Sequence, residues 1–119
     1  MKKITSLLIL MMAIAISGFV SAQTLPDPPT SLSGVATHPT IIELDWEQNA
    51  DGNDVLLVYS ENNTFGTPLN SISYSAGDEI NGGGTVLYVG SDLTFDHVDL
   101  TPMQTYYYNA YSVDADVVY

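Results

Sequence analysis

Leu100-Thr-Pro-Met-Gln-Thr-Tyr-Tyr-Tyr-Asn-Ala-Tyr-Ser112 joins a proline turn to the most aromatic run in the chain. Proline fixes its own φ and gives up a backbone donor, so Thr101-Pro102 marks a turn. The tyrosines that follow favour extended backbone. Side chains alternate along a strand, which places Tyr106, Tyr108, Ala110 and Ser112 on one face and Tyr107, Asn109 and Tyr111 on the other.

Short extended segments recur upstream of this run. Residues 93–98 put Leu93, Phe95 and His97 on one face, and residues 85–90 set Val86, Tyr88 and Gly90 opposite Leu87 and Val89. Gly82-Gly83-Gly84 is a turn, residues 71–76 form a short strand around Tyr74, and residues 61–70 are loop. Residues 55–60 carry Val55, Leu57 and Tyr59 on one side and Leu56 and Val58 on the other. Apolar residues on both sides mean either a central strand covered twice or an exposed apolar patch. Residues 41–47 alternate most clearly, with Ile42, Leu44 and Trp46 against Glu43, Asp45 and Glu47, and they predict a half-buried strand. Residues 30–36, with Leu32 and Val35, follow Pro29 and fit an edge strand, where a missing donor is tolerated. No helical period is sustained beyond residue 22. Short strands between Gly, Pro, Asn and Asp turns predict an all-β antiparallel sandwich.

The N-terminus has a different character. Lys2 and Lys3 precede an unbroken apolar core over residues 7–16, and Val20-Ser21-Ala22 offers small residues for cleavage. Residues 1–22 are therefore expected to be a signal peptide, too short in its apolar part for a membrane span, and the protein to be secreted or displayed at the cell surface. Residues 23–29 hold Pro26, Pro28 and Pro29 and form a stiff linker. Residues 30–119 are one domain. The chain has no cysteine, which excludes disulfides, thiolate metal sites and a lipid-anchored cysteine start. Its only basic side chains other than two histidines are Lys2 and Lys3, so the chain after residue 22 sets fourteen carboxylates against no lysine or arginine. That balance argues against nucleic acid and anionic membranes as partners.

Taken in order, these residues resemble a fibronectin type III domain. The resemblance rests on Pro28-Pro29 with Leu32 at the entry, then Ile42, Leu44 and Trp46, then Val55, Leu57 and Tyr59. The Leu100, Pro102, Tyr106 spacing completes it. A leucine, a proline turn and a strand-opening tyrosine resemble the tyrosine corner of such sandwiches, whose phenol bonds backbone just upstream. The resemblance implies an immunoglobulin-like sandwich with sheets A-B-E and C′-C-F-G. Leu32, Leu44, Trp46, Leu57, Tyr59, Leu100, Pro102, Tyr106 and Tyr108 would be structural residues in it. Two departures stand out. Residues 71–90 enlarge the middle, as in modular secreted bacterial proteins where such domains sit beside hydrolases or adhesion modules. After the turn at residues 114–116 only three residues remain, too few for a seventh strand. The chain is accordingly expected to be a fragment whose missing strand would pair with residues 106–112.

Catalytic chemistry finds few candidates. Asp96-His97 is not the start of a triad, because adjacent strand residues point to opposite faces. Scattered carboxylates in a small sandwich lack the cleft that glycosidase pairs need. Asn49-Ala-Asp-Gly-Asn-Asp54 places oxygen ligands at positions 1, 3 and 5 of a calcium loop, but Asp54 stands at position 6 and Ser60 at position 12. No catalytic residue, cofactor or metal is assigned. The expected function is a non-catalytic spacer or presenting module whose partners are neighbouring domains or an extracellular protein or polysaccharide. The alternative is a binding module using an exposed face of Leu56, Val58, Tyr107 and Tyr111, or an accessory piece of a secreted hydrolase.

Overall fold

The computed structural model describes residues 23–119, so the expected signal peptide lies outside the described residues. Six strands follow in order: β1 (Thr30–His38), β2 (Ile41–Glu47), β3 (Asp54–Ser60), β4 (Thr85–Gly90), β5 (Thr94–His97) and β6 (Tyr107–Val113). They form two three-stranded sheets, β1-β2-β5 and β4-β3-β6, and every pairing between them is antiparallel. No helix occurs among the described residues.

Alternation of side chains builds the space between the sheets. Leu44 and Trp46 point inward from β2, Val55 and Leu57 from β3, and Ala110 from β6, and all five are buried in one cluster. Leu32, Ile42, Leu87, Tyr88, Phe95 and Tyr108 pack around it. Glu43, Asp45 and Glu47 face the other way on β2 and stay in water. Glu43 stands directly opposite Asp96 of β5. The outer face of the first sheet is thus acidic, which holds Leu44 and Trp46 to the inner side, since a register slip of one residue would bury the carboxylates.

The sheet β4-β3-β6 has a second core on its other face. Leu56, Val58, Ile80 and Val86 are buried there, with Phe65, Tyr74, Val89, Tyr111, Val113 and Tyr119 packed against them. The expected strand at residues 71–76 is not formed: that stretch is turn and irregular backbone. It is held by side chains and isolated bonds instead. The Leu69 amide donates to the Tyr74 hydroxyl at 3.1 Å, and the Ser75 amide donates to Asp78 Oδ2 at 2.8 Å. A single bridge, Glu79 to Thr85, leads into β4. Left-handed backbone at Ser71, φ 65°, and at Gly77, φ 94°, interrupts an extended path at both ends of the stretch, and Tyr74 packs over β3, edge-on to Tyr119 with ring centroids 5.5 Å apart.

The C-terminal residues do not run back along β6. The Asp114 amide donates to the Val118 carbonyl at 3.1 Å, and Asp114 Oδ1 accepts from Asp116 and Val118 amides at 2.9 and 2.8 Å. This tight turn carries Val118 into full burial. Beyond it the Tyr119 hydroxyl donates to the Ile72 carbonyl at 2.8 Å, so the tail is stitched onto the loop that covers β3.

Candidate functional site

The face proposed from sequence for binding is that same outer face of β4-β3-β6. Register pairs Leu56 with Tyr111, Val58 with Asn109 and Ser60 with Tyr107, so the four named residues do lie on one side of the sheet. The alternative in which Leu56 and Val58 belong to an exposed patch does not hold. Leu56 and Val58 are fully buried, because Phe65, Tyr74, Ile80 and the C-terminal residues sit over them. Of the four, Tyr107 alone is exposed, at 37%. Tyr111 is half-buried: its hydroxyl donates to the Gly66 carbonyl at 2.7 Å and accepts from Asn109 Nδ2 at 3.1 Å. Burial raises the Tyr111 pKa, with the Asn109 bond working the other way.

The cover depends on close backbone approach. A β-carbon at Gly66 would run into the Asn81 carbonyl, and the Gly66 amide donates to Gly83 at 2.7 Å. Gly84, at φ +99°, lies under Val58 and Phe65, where a β-carbon would sit 3.2 and 3.3 Å from them. Glycine is the residue that permits both contacts. These glycines and Ile80 are the positions that sequence reasoning missed. Ile80 stands alone between polar residues and glycine, so no periodicity marks it.

The proline turn behaves as the tyrosine spacing implies. The Thr101 amide donates to the Tyr106 hydroxyl at 3.0 Å, and the Leu100 amide donates to the Thr40 carbonyl at 3.0 Å, with Leu100 buried. Behind this corner lies an aromatic cluster around His97. Its ring is 4.6 Å from Tyr59, 5.7 Å from Tyr106 and 5.8 Å from Tyr108, centroid to centroid. His97 Nδ1 and the Tyr108 hydroxyl are 3.0 Å apart, which ties β5 of one sheet to β6 of the other. Burial pushes the His97 pKa below its ordinary value, and burial together with Tyr106 and Tyr59 pushes Tyr108 up to about 12. His97 thus packs as an aromatic among Tyr59, Tyr106 and Tyr108, and burial disfavours its charged form.

Two further places gather polar side chains. At residues 49–54, buried Asn49 donates to the Asp27 carbonyl at 2.8 Å and to Asn53 Oδ1 at 2.7 Å, while its own Oδ1 accepts from the Asn53 amide at 3.0 Å. The Asn49 and Asn53 amide oxygens are engaged within the loop, and the Asn49 amide nitrogen ties the loop to the Pro-rich lead. Between residues 59–64 and 79–85 an open groove of about 610 Å³ is lined by Tyr59, Glu61, Asn62, Glu79 and Asn81. Among the described residues no three His, Cys, Asp or Glu side chains are grouped so as to hold a metal ion. No protein-family model matches this chain, and no curated protein is detectably similar to it in sequence.

Proposed function

We propose that the chain is a fibronectin type III-like, non-catalytic module of an exported protein, acting as a spacer or presenting unit beside other domains. The order β1-β2-β5 and β4-β3-β6 supports the family reading, since it matches A-B-E and C′-C-F, and the bond from Thr101 to Tyr106 supports a tyrosine corner. One observation carries the functional reading: five of the eight tyrosine hydroxyls are turned onto the domain's own backbone. Tyr74, Tyr88, Tyr106, Tyr111 and Tyr119 each bond a main-chain group of this chain. Aromatic groups that serve a sugar or a partner keep a face or a hydroxyl free for it. Here they serve to close the structure, as suits a bead between other units.

The experiment is thermal unfolding of the purified chain with soluble polysaccharides and chromogenic glycosides and esters. A spacer gives an unchanged melting temperature and no hydrolysis. A melting temperature that rises saturably with a polysaccharide would refute the reading, because a ligand held by the folded state alone must stabilise it. Export is checked separately by N-terminal sequencing of protein recovered outside the cell, expected to begin at Gln23. Recovery of an uncleaved chain inside the cell only would contradict it.

A further inference from the structure

The turn before β4 holds a pair of residues whose chemistry neither the cores nor the ladders use. Asn81-Gly82 is the chain's one Asn-Gly pair. In such a pair the glycine amide nitrogen, unshielded by a side chain, can attack the asparagine side-chain carbonyl and close a succinimide ring. The attack needs an asparagine side chain held by nothing else and a following amide that donates to nothing. Of the seven asparagines, Asn81 alone meets both conditions among the described residues. Asn49, Asn53, Asn62, Asn70 and Asn109 are each held by a side-chain hydrogen bond, and the Thr64 amide after Asn63 donates to Ser60 Oγ at 3.2 Å. Asn81 and Gly82 are both exposed. Asp51-Gly52, which has the same chemistry available, is guarded, because the Gly52 amide donates to the Asn49 carbonyl at 3.0 Å.

The pair sits where the cover over β3 is fastened. The Gly83 amide donates to the Ile80 carbonyl at 2.9 Å and the Ile80 amide donates to the Gly84 carbonyl at 2.8 Å, which closes a tight turn around Asn81-Gly82. The Asn81 carbonyl lies against Gly66, whose amide donates to the Gly83 carbonyl at 2.7 Å. Ile80, immediately before Asn81, is buried with Leu56, Val58 and Val86. Isoaspartate at position 81 would route the main chain through the side-chain carbons and lengthen it by one carbon. The turn has no slack for that. A β-carbon at Gly82 would stand 3.1 Å from Gly66 Cα, and one at Gly83 would stand 2.7 Å from the Thr64 carbonyl oxygen.

We propose that Asn81 is a site of spontaneous deamidation, and that its isoaspartate product unfastens the cover over β3. The Gly82 nitrogen bonds to Asn81 Cγ and the Cγ–Nδ2 bond breaks. Nδ2 leaves as ammonia, carrying the proton that the glycine amide gives up through solvent. Water then opens the succinimide, reaching it from the open groove between residues 59–64 and 79–85. Breaking the new Cγ–N bond gives aspartate with the original backbone. Breaking the older C–N bond gives isoaspartate, joined to Gly82 through Cγ. No oxidant or reductant enters. In the intact turn the Asn81–Gly82 peptide is packed on Gly66, so the attack waits for the turn to lift locally. The change does not reverse, and it adds a carboxylate beside Glu61 and Glu79. Ile80 is then drawn off Leu56 and Val58 as the protein ages. The proposal stands on the turn's own contacts and does not depend on the spacer reading.

The test ages the full chain for four weeks at pH 8 and 37 °C, folded and in guanidinium chloride, and reads it by peptide mapping and amide hydrogen exchange. An acid is expected at position 81 before any other asparagine converts, and sooner in the denatured chain than in the folded one. Exchange at the Gly66, Ile80 and Gly83 amides is expected to be at least tenfold faster in the isoaspartate fraction than in fresh protein. Asn81→Gln, whose longer side chain cyclises slowly, keeps the fresh pattern on ageing. Asn81→Asp, measured fresh, carries the new charge without the longer backbone and keeps that pattern too. The proposal is overturned if another asparagine converts first, if position 81 stays an amide in the folded chain, or if folded and denatured chains convert equally fast. It is also overturned if the isoaspartate fraction exchanges like fresh protein, or if fresh Asn81→Asp exchanges as fast as that fraction.

Discussion

Replacing Leu56 by alanine removes three side-chain carbons from a position with no exposure, on the side of β3 that faces away from the space between the sheets. Its surroundings are Val58, Ile80 and Val86, closed over by Phe65, Tyr74 and Tyr119. The roof is made of loop residues whose backbone is fixed by glycine contacts and tyrosine bonds, so it cannot collapse freely into the gap. Leucine-to-alanine changes at such sites cost about 2 to 5 kcal/mol, the transfer of the removed groups plus the residual cavity. For a domain of this size each kcal/mol moves the melting temperature by about 4 to 8 °C. The loss is a large fraction of a total stability of about 5 to 15 kcal/mol. Urea unfolding followed by the fluorescence of Trp46, 3% exposed in the other core, reports it directly. Leu57→Ala, on the opposite face of the same strand, is the internal reference. The two variants are expected to lose comparable stability. If Leu56→Ala loses less than about 0.5 kcal/mol, the value typical of an exposed site, while Leu57→Ala loses several, the outer face is open and the second core does not exist.

Three more outcomes follow from the same contacts. Gly66→Ala forces a β-carbon against the Asn81 carbonyl, and backbone cannot give way there as a side chain can; a loss above about 2 kcal/mol is expected by urea unfolding, of the order seen when core packing is strained. Tyr106→Phe deletes the acceptor of the Thr101 amide, a bond at 3.0 Å near the surface, and is expected to cost about 0.5 to 1.5 kcal/mol with no change of fold by circular dichroism. For His97 the sign is set by burial, which holds its folded pKa below the ordinary 6.5. The unfolded chain then binds the proton more readily, so this contribution is complete above pH 6.5 and is lost as pH falls through that value towards the folded pKa. Against a His97→Phe variant, the wild type should lose stability on going from pH 7 to pH 5.5, measured by chemical denaturation; parallel pH profiles would show that His97 carries no such linkage.

The parts of this structure that repeat with a period of two were readable in the chain. Ile42, Leu44 and Trp46 opposite three carboxylates define β2, and the proline spacing before Tyr106 locates the corner. The double-sided apolar pattern of residues 55–60 was also there, but it admits two meanings, and the patch was the wrong one for Leu56 and Val58. The deciding information is tertiary. Phe65, Tyr74 and Ile80 are single apolar residues in polar, glycine-rich surroundings, and nothing local says that they converge on β3. The strand expected at residues 71–76 failed for a related reason: Tyr74 has β propensity, but left-handed backbone at Ser71 and Gly77 bounds the stretch, and Tyr74 packs against Tyr119 rather than in a ladder.

The second core over β3 is measured most directly by methyl-to-aromatic nuclear Overhauser contacts in the isotopically labelled chain. Leu56 and Val58 methyl groups are expected to show contacts to Ile80 and to the rings of Phe65, Tyr74 and Tyr119, and to be shielded from a soluble paramagnetic agent. Methyl groups of Leu56 and Val58 that lack those contacts and relax in the agent as fast as the exposed Val35 would contradict it.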